Sequence, residues 1–287
     1  MIKGEKSFVD KIYKKLYYGI IQRNFKYITS PFRSLPDFII IGAVRCGTTS
    51  LYYDICEHSC VLPASYDEIG FFDSNYELGI NWYKSMFPTK NKMKKIKSKT
   101  GMCITGEDTP FYFWDKIAIK RIKKELPKVK LIVLLRNPID RAYSNYQLGV
   151  RSGSESLSFE DSIKKEINIL EKNDEIENDE IEKFLRPRSY FAKGLYHNQI
   201  KNWFNIFSKD QIIILSTENL AKNPHKTLEE IFTFLDLPNE KIENLQHKKV
   251  EKYQEMNQDT RQILKKLFKS HNEKLFKFIE KNFEWDK

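Results

Sequence analysis

The stretch that decides the fold is "PDFIIIGAVRCGTTSLYYDI", from Pro36 to Ile55. A strand is predicted over Asp37 to Ile41, because an apolar run of this kind is typical of strands buried on both faces of a parallel sheet. Two glycines five residues apart follow, and then a segment with a helical pattern. A strand that leads through glycines into a helix points backbone N–H groups and the positive end of the helix dipole into one concavity. The stretch therefore predicts a site for a phosphate-like oxyanion.

The loop differs from the nucleotide-binding consensus at one decisive position. That consensus is glycine, any four residues, glycine, lysine, then serine or threonine, and its lysine reaches the β- and γ-phosphates. Here Thr48 stands in the lysine position and Arg45 lies inside the loop. Arg45 adds a permanent charge and a planar donor fork suited to phosphate or sulfate, and the next residues add hydroxyl donors. On its own the pattern is weak, because glycine pairs with threonines also occur in ordinary turns.

A second motif strengthens the first. After the apolar run "KLIVLL" comes "RNPIDRAYSNY", with Arg136 at the end of the strand and Ser144 eight residues later on a predicted helix. In open parallel sheets, ligands bind outside the carboxyl ends of the strands, where Arg136 would lie beside the first loop. Eight residues are about two helical turns, so Ser144 can face the same cleft. A structural ion pair is the alternative for Arg136 and the preferred interpretation for Arg141.

The rest of the chain predicts an α/β fold with a central, mainly parallel sheet flanked by helices. Further strands are predicted over Met102 to Glu107, Val129 to Leu135 and Gln211 to Ser216. A helix is predicted over Lys116 to Leu126, where Pro127 stops it. With 287 residues, of which 40% are hydrophobic, the chain can bury one large core. We expect residues 1–35 to form an N-terminal basic amphipathic helix with a connector, and residues 36–287 to form the main domain.

The N-terminal helix is predicted from apolar residues at every fourth position, Phe8, Ile12, Leu16 and Ile20. Such a helix usually docks on its own domain, and peripheral contact with a membrane surface is the alternative. No apolar run approaches the ~18 residues of a membrane span, so no transmembrane segment is expected. Two charge-biased stretches, Lys90 to Lys99 and Glu171 to Glu182, are interpreted as solvated loops or helix faces.

Charge and cysteine content restrict the partners and the compartment. The formal net charge of +10 favours anionic partners. A nucleic-acid partner is not expected, because most aromatic residues lie within apolar patterns and do not alternate with arginine as a stacking surface would require. The four cysteines show neither zinc-ligand spacing nor the density of a secreted disulfide scaffold, which predicts a cytoplasmic protein in a reducing compartment.

The ordered set of motifs resembles the sulfotransferases that use 3′-phosphoadenosine 5′-phosphosulfate, in particular the carbohydrate branch related to the heparan sulfate N- and 3-O-sulfotransferases. The segments that carry the resemblance are the two motifs above together with "DEIGFFD" (Asp67 to Asp73), "WYKSMFP" (Trp82 to Pro88), "GEDTPFYF" (Gly106 to Phe113) and "ENLAKNP" (Glu218 to Pro224). The resemblance extends from about Pro36 to the closing "NFEWD". It implies a P-loop fold related to nucleotide kinases.

The resemblance also implies how the donor is held and why the loop lacks a lysine. The donor has a single 5′-phosphate that carries the sulfuryl group, so a lysine for β- and γ-phosphates and a metal ion have nothing to hold. We therefore expect no metal. One cation near the bridging oxygen suffices, and Arg45 occupies the place of a lysine in the heparan sulfate branch. The expected donor contacts are Arg45, Cys46, Gly47, Thr48, Thr49 and Ser50 at the 5′ end, and Arg136, Ser144, Lys248 and Lys249 at the 3′-phosphate and adenine.

The same resemblance implies a general base and an acceptor site. Family enzymes carry the motif K-E-x-x-F-F, which matches Glu68, Phe71 and Phe72 here and departs from the pattern at Asp67. Glu68 is therefore the expected base, and Arg45 assists electrostatically. The expected acceptor contacts are Glu107, Asp108, His197 and Gln199. Asp108 stands where the heparan sulfate branch commonly has lysine, and Gln199 falls where that branch has histidine, which weakens the case for a polyanionic acceptor.

From these residues we expect an enzyme that moves a sulfuryl group from this donor to a hydroxyl or amine, most simply on a carbohydrate. A kinase-like phosphotransferase is the enzymatic alternative, but Thr48 stands in the lysine position and the sequence shows no obvious magnesium carboxylate. A nucleotide-binding module without chemistry is the alternative from another class.

Overall fold

The computed structural model describes residues 27–171, 189–245 and 254–285. The predicted N-terminal helix and the donor candidates Lys248 and Lys249 lie outside the described residues, as does most of the acidic stretch Glu171 to Glu182. In the described part of the connector, a short 3-10 turn spans Ser30–Phe32, and residues 33–37 join it to the first strand.

The centre of the molecule is a five-stranded sheet, and the predicted α/β fold with a mainly parallel sheet is confirmed. Its strands are β1 (Phe38–Gly42), β2 (Val61–Pro63), β3 (Ile104–Asp108), β4 (Lys130–Leu135) and β5 (Ile212–Ser216). Every pairing is parallel, and the spatial order is β2-β3-β1-β4-β5. The four predicted strands are present with ends shifted by one or two residues. β2 was not predicted, because three residues ending in proline carry almost no periodic signal.

Strand order places the two sequence motifs side by side. β1 lies in the middle, with β3 on one side and β4 on the other. Ile40 of β1 is in register with Asp108 on β3 and with Ile132 on β4. The order in which strands are added to the sheet reverses at β1. In open parallel sheets, ligands bind at such a point, outside the carboxyl ends of the strands. Residues that follow β1, β3 and β4 therefore border one cleft.

Helices cover the sheet, and their bounds follow local sequence signals. They are α1 (Thr48–Cys56), α2 (Phe71–Ser74), α3 (Gly79–Ser85), α4 (Lys90–Thr100), α5 (Lys116–Glu125), α6 (Pro138–Arg151), α7 (Phe159–Glu171), α8 (Tyr196–Phe204), α9 (Thr217–Lys222), α10 (Pro224–Phe234) and α11 (Gln258–Ile279). The predicted helix before Pro127 is α5, whose first turn is capped by the Asp115 carboxylate. The lysine-rich stretch, expected as a solvated loop or helix face, is α4.

Two apolar clusters hold the layers together. The larger surrounds the sheet, and the strands β1 and β5 are buried along their whole length. The smaller joins α6 and α7 to the segment before α8 and to α11, through residues such as Ala142, Phe159, Leu195 and Phe268. None of the helices in the described ranges is long and apolar enough to cross a bilayer. The core thus fixes the strand ends on which the cleft is built.

Candidate active site

The loop after β1 has a backbone that glycine makes possible at two points. At Gly42 a Cβ atom would lie 2.3 Å from Cβ of Phe113, so only glycine lets these two segments of the backbone approach so closely. Gly47 has φ of +86° and precedes α1, where a side chain would be strained although nothing else lies near. Arg45 also adopts a left-handed conformation, with φ of 68°. The loop therefore curls tightly and delivers the start of α1 to the cleft.

The first turn of α1 is suited to an anion. Gly47 offers no side chain, and within the described ranges no other side chain caps this end. The N–H groups of a helical first turn have no partner inside the helix, and they carry the positive end of its dipole. Thr48 is buried at this turn, whereas Thr49 and Ser50 are partly exposed. Backbone donors and hydroxyl groups are thus grouped at this helix end, and their expected contacts with the donor stay a prediction.

The two basic motifs contact each other, although Arg45 and Ser144 lie 99 residues apart in the sequence. Arg45 donates from Nε to Oγ of Ser144 over 3.1 Å, and Arg136 donates from Nη1 to the carbonyl oxygen of Arg45 over 3.4 Å. Ser144 is buried, and both arginines remain partly exposed. The predicted donor residues Arg45, Arg136 and Ser144 therefore form one group joined by hydrogen bonds, and its two cationic side chains are partly exposed.

Backbone carbonyls around this group are held from behind. Tyr196 donates its hydroxyl to the carbonyl oxygen of Arg136 over 2.9 Å. Thr217 donates to the carbonyl oxygens of Cys46 and Leu135 over 2.7 and 3.0 Å. The thiol of Cys46 is buried near Tyr196, and burial raises its pKa to about 11. Cys46 therefore borders the loop through its backbone, while its side chain stays neutral in the core.

Arg141 is buried and does not face the open cleft. It donates from Nη2 to the carbonyl oxygen of Tyr190, and its Nε and Nη1 have no hydrogen-bond partner in the described part of the chain. The ion pair with a carboxylate, which the sequence interpretation favoured, is likewise not found among the described residues. Its charge instead lies near Cys46 and Tyr196, where burial raises both pKa values and the Arg141 guanidinium offsets part of that rise.

The acidic side of the cleft carries the predicted base. Glu68 is exposed, has φ of 48°, and donates its backbone N–H to the carbonyl oxygen of Asp108 over 3.0 Å. Tyr53 on α1 donates its hydroxyl to Asp67 over 2.5 Å. These two bonds attach the Asp67–Glu68 turn both to the end of β3 and to the helix that follows the donor loop. Glu68 therefore lies at the rim of the same cleft.

Glu107 lies beneath that turn and supports it. Its carboxylate is fully buried and accepts hydrogen bonds from Tyr83 over 2.5 Å and from Thr109 over 2.6 Å. Thr109 accepts in turn from the N–H of Gly70, and Tyr112, beside Glu107, accepts from the N–H of Phe71. Burial raises the pKa of Glu107 to about 7, despite these hydroxyl donors. The acceptor contact predicted for Glu107 stays a prediction, and its observed contacts all stabilise the turn.

Asp108 is a second buried carboxylate, on the opposite face of β3. Neither of its oxygens has a hydrogen-bond partner within the described ranges. Burial, together with the negative charges of Asp67, Glu107 and Glu68, raises its pKa to about 7, and Thr49 offsets part of the rise. Asp108 thus lies near both the start of α1 and the Asp67–Glu68 turn.

The other acceptor candidates lie on α8, farther from these contacts. The ring of His197 packs edge-on against Phe278 of α11, with centroids 5.3 Å apart. Gln199 is buried and donates to the carbonyl oxygens of Ala192 and Lys193 over 3.4 and 3.3 Å. Both observed environments are structural, because these side chains join α8 to its neighbours. Their predicted acceptor role stays a prediction.

Sequence reasoning missed two residues that shape the cleft. Glu218 accepts from the N–H of Asn137 over 2.8 Å and from Trp285 over 3.1 Å, so it fixes the turn after Arg136. Lys193 is buried with its ammonium over the rings of Phe111 and Trp114, at 4.7 and 6.0 Å from their centroids. The only sequence signal for Lys193 was a lone lysine between small residues in "YFAKGLY". The sequence does not show that its ammonium lies over aromatic rings, because those rings belong to a distant segment.

These features define an α/β anion-binding protein with a P-loop whose lysine is replaced. The model of the sulfotransferase domain family matches residues 35–286 of the chain. The chain therefore belongs to the sulfotransferase family. Similarity to curated proteins agrees, with 27% identity to the membrane-associated sulfotransferase kil1 of Dictyostelium discoideum, covering 88% of this chain and 66% of that protein.

Two further relatives place the chain within the family. It is 31% identical to bifunctional heparan sulfate N-deacetylase/N-sulfotransferase 1 of Caenorhabditis briggsae, over 87% of this chain and 31% of that protein. The chain thus spans about two thirds of the Dictyostelium protein and about a third of the nematode one. Its fold matches the crystal structure of a sulfotransferase from Alicyclobacillus acidocaldarius with a TM-score of 0.68 and 25% identity, covering 88% of this chain and all of that one.

Proposed function

We propose that this protein transfers a sulfuryl group from 3′-phosphoadenosine 5′-phosphosulfate to a hydroxyl or amine of a carbohydrate, and releases adenosine 3′,5′-bisphosphate. The observation that carries the proposal is the hydrogen bond from Arg45 to Ser144. It joins the loop suited to a 5′-phosphosulfate with the motif suited to a 3′-phosphate. Family membership supports the same donor. A nucleoside triphosphate would instead call for a lysine where Thr48 stands.

The residues present fit the donor at both of its anionic ends. The uncapped first turn of α1, with Thr48, Thr49 and Ser50, would hold the 5′-phosphosulfate, and the space beside Gly47 is open to it. Arg136 and Ser144 would hold the 3′-phosphate, because a guanidinium and a hydroxyl are both good donors to phosphate oxygens. The donor supplies the activated sulfuryl group. The protein supplies position and charge.

Arg45 and Glu68 divide the chemical work in this proposal. The acceptor oxygen or nitrogen forms a new bond to sulfur as the bond from sulfur to the bridging phosphate oxygen breaks, and the electron pair of the broken bond stays on that oxygen. Arg45 stabilises the negative charge that develops there, without giving up a proton. Glu68 takes the proton that leaves the acceptor. Its position at the rim leaves the carboxylate accessible to an incoming hydroxyl or amine.

For the acceptor, we propose a neutral or weakly charged carbohydrate. A carbohydrate is supported by the nematode relative, whose name includes heparan sulfate. The exposed carboxylates of Asp67 and Glu68 would border the acceptor, and their negative charges would repel a polyanionic chain there. We also propose the cytoplasmic location that the cysteine content predicts; the four cysteines are free thiols in the structure.

Transfer of radioactive sulfur tests the proposal. The purified chain would be incubated with sulfur-labelled donor and a panel of neutral, amino and acidic oligosaccharides, and the products separated by chromatography. We expect label on a carbohydrate with wild-type protein and a loss of at least 100-fold with Arg45→Ala, because charge stabilisation of this kind is worth about 100- to 1,000-fold. The kinase alternative predicts transfer from γ-labelled ATP instead. Donor binding without transfer to any acceptor would favour the non-catalytic module.

A further inference from the structure

Helix α4 carries an unusual surface far from the cleft. Its sequence is "KNKMKKIKSKT", with six lysines and no acidic residue, and none of its residues is buried. All six lysine side chains are exposed, at Lys90, Lys92, Lys94, Lys95, Lys97 and Lys99. None of them forms an ion pair with a described residue. The helix is therefore a concentrated positive charge that the fold does not neutralise.

Exposed apolar residues lie beside the start of this helix. Residue Arg33 forms an antiparallel bridge with Thr89, the residue that caps α4, and donates from Nη1 to the carbonyl oxygen of Phe87 over 2.7 Å. This pairing places the Ser30–Phe32 turn next to the helix. There Phe32 and Ile28 are 70% and 74% exposed. Large apolar side chains at such exposure do not contribute to the core.

A cationic pocket lies in the same region. It is lined by Arg33, Lys84 and Lys90 together with Ser34, Leu35, Asp37 and Met93. One oxygen of the Asp37 carboxylate accepts a hydrogen bond from the N–H of Thr105 on β3. Three cationic side chains around one hollow suit a phosphate head group. We call the combination of α4, this pocket, Ile28 and Phe32 the basic edge.

The basic edge lies on the side of the sheet opposite the donor loop. Asp37 precedes β1, and α4 leads into the start of β3, so both belong to the amino ends of the strands. The donor loop and Arg136 follow the carboxyl ends of β1 and β4. A partner bound at the basic edge therefore leaves the cleft open, and its lysines have no place in sulfuryl transfer.

We propose that the basic edge binds an anionic membrane surface. Lysines near a negatively charged leaflet each strengthen binding, and apolar side chains beside them can enter the acyl boundary. A soluble acidic glycan would use the lysines and gain nothing from Ile28 and Phe32. The combination of charge, apolar groups and a phosphate-sized pocket thus fits a lipid surface better than a polyanion in solution. This binding does not depend on the proposed enzymatic function.

Sedimentation with vesicles tests the proposal on the full chain. We expect binding to vesicles with 30% phosphatidylserine in phosphatidylcholine, little binding to phosphatidylcholine alone, and a decrease as salt rises. Lys92→Gln/Lys95→Gln/Lys99→Gln removes one face of α4 and should weaken partitioning about 100-fold, at about 5-fold per lysine. A matched control, Lys266→Gln/Lys269→Gln/Lys277→Gln on α11, removes equal charge and should weaken it far less. All positions are exposed, so both variants should keep the wild-type unfolding temperature.

Phe32→Ser separates a membrane from a polyanion. This variant should weaken vesicle binding and leave retention on immobilised heparin unchanged, because only the lipid surface uses the apolar side chain. The proposal would be overturned if wild-type protein did not bind phosphatidylserine vesicles, or if the α4 and α11 triple variants bound them equally. Loss of heparin retention in the α4 variant without loss of vesicle binding would identify the basic edge as a glycan site and would also overturn it.

Discussion

The two sides of the donor loop are built in opposite ways. On the β4 side, Arg45, Arg136 and Ser144 are connected by hydrogen bonds, and Tyr196 and Thr217 hold the backbone behind them. On the β3 side, the carboxylates of Asp67, Glu68, Glu107 and Asp108 lie near one another, and the Asp108 carboxylate has no hydrogen-bond partner within the described ranges. One side is a prearranged cationic group. The other is an acidic group poised to exchange protons.

This difference matches the two tasks of a group transfer. An anionic donor is held best by charges that are fixed before it arrives, since no reorganisation is then needed. An acceptor must lose a proton, and carboxylates that titrate near neutral pH are suited to receive one. The pKa of about 7 at Glu107 and Asp108 results mainly from burial. The burial of these two carboxylates therefore costs stability, whereas the expected base, Glu68, is exposed at the surface.

The largest effect is expected from Glu68→Gln on the acidic side. Because a general base contributes about 100- to 10,000-fold, turnover should fall within that range while donor binding stays nearly unchanged. Steady-state rates and equilibrium binding of adenosine 3′,5′-bisphosphate measure the two quantities. Asp67→Asn is the matched control, which removes a neighbouring charge and should cost less than 10-fold. If Glu68→Gln kept more than about a third of wild-type turnover with chemistry rate-limiting, Glu68 would not be the base.

The second-largest effect is expected from Arg136→Ala on the basic side. In contrast to Glu68→Gln, this change should weaken donor binding more than it lowers turnover. A lost charged hydrogen bond costs about 1.5 to 3 kcal/mol, so donor affinity should fall roughly 10- to 150-fold with a smaller change in saturated turnover. Calorimetry with adenosine 3′,5′-bisphosphate and with AMP, which lacks the 3′-phosphate, tells which group Arg136 contacts. Equal losses for both ligands would show that Arg136 does not read the 3′-phosphate.

A smaller effect concerns stability and pH. Burial raises the pKa of Asp108 to about 7 from its ordinary value of 3.8, so the folded state holds this proton more tightly than the unfolded state. Asp108 therefore makes the free energy of unfolding decrease as pH rises from about 4 to about 7, by up to about 1.4 kcal/mol per pH unit, and above that range the penalty is constant. Asp108→Asn should remove this part of the decrease. Its free energy of unfolding, relative to that of wild type, should therefore be higher at pH 8 than at pH 5.

Urea unfolding at several pH values measures that difference. The exposed helical residue Glu229 provides a control, since Glu229→Gln should leave the pH dependence of wild type unchanged. An Asp108→Asn protein whose stability decreased from pH 5 to pH 8 as steeply as wild type would show that Asp108 is ionised throughout. The pKa of Asp108 would then not be raised. The two sides of the donor loop would differ in the sign of their charge and not in how readily they exchange protons.

The sequence predicted the basic side more completely than the acidic side. Arg45, Arg136 and Ser144 are recognisable because local rules apply to them: a glycine loop before a helix, and a strand end followed by an Asn-Pro turn. Their contact also follows from the order of parallel strands. The hydrogen bond from Arg45 to Ser144 is the detail that the sequence could not supply, since it depends on the rotamer of a long side chain.

The acidic side depends on tertiary packing, which no local pattern encodes. "GED" gives two adjacent carboxylates on a strand, and successive side chains point to opposite faces. The sequence does not show that Glu107 meets Tyr83 of α3, or that the carboxylate of Asp108 is buried without a hydrogen-bond partner in the described ranges, because both depend on how separate elements pack. For the same reason the short strand β2 and the buried ammonium of Lys193 were missed. The expected roles of His197 and Gln199 rested on alignment with a motif alone.

The central claim is that the loop holds a 5′-phosphosulfate donor that also carries a 3′-phosphate. A thermal-shift titration tests it without knowledge of the acceptor. Adenosine 3′,5′-bisphosphate should stabilise the folded chain by ~2.7 kcal/mol at a hundredfold excess over its dissociation constant, with or without magnesium. ATP lacks the 3′-phosphate and finds no lysine at position 48, so it should stabilise the chain much less at equal concentration. A larger shift with magnesium-ATP than with the bisphosphate would contradict the account and favour a kinase-like protein.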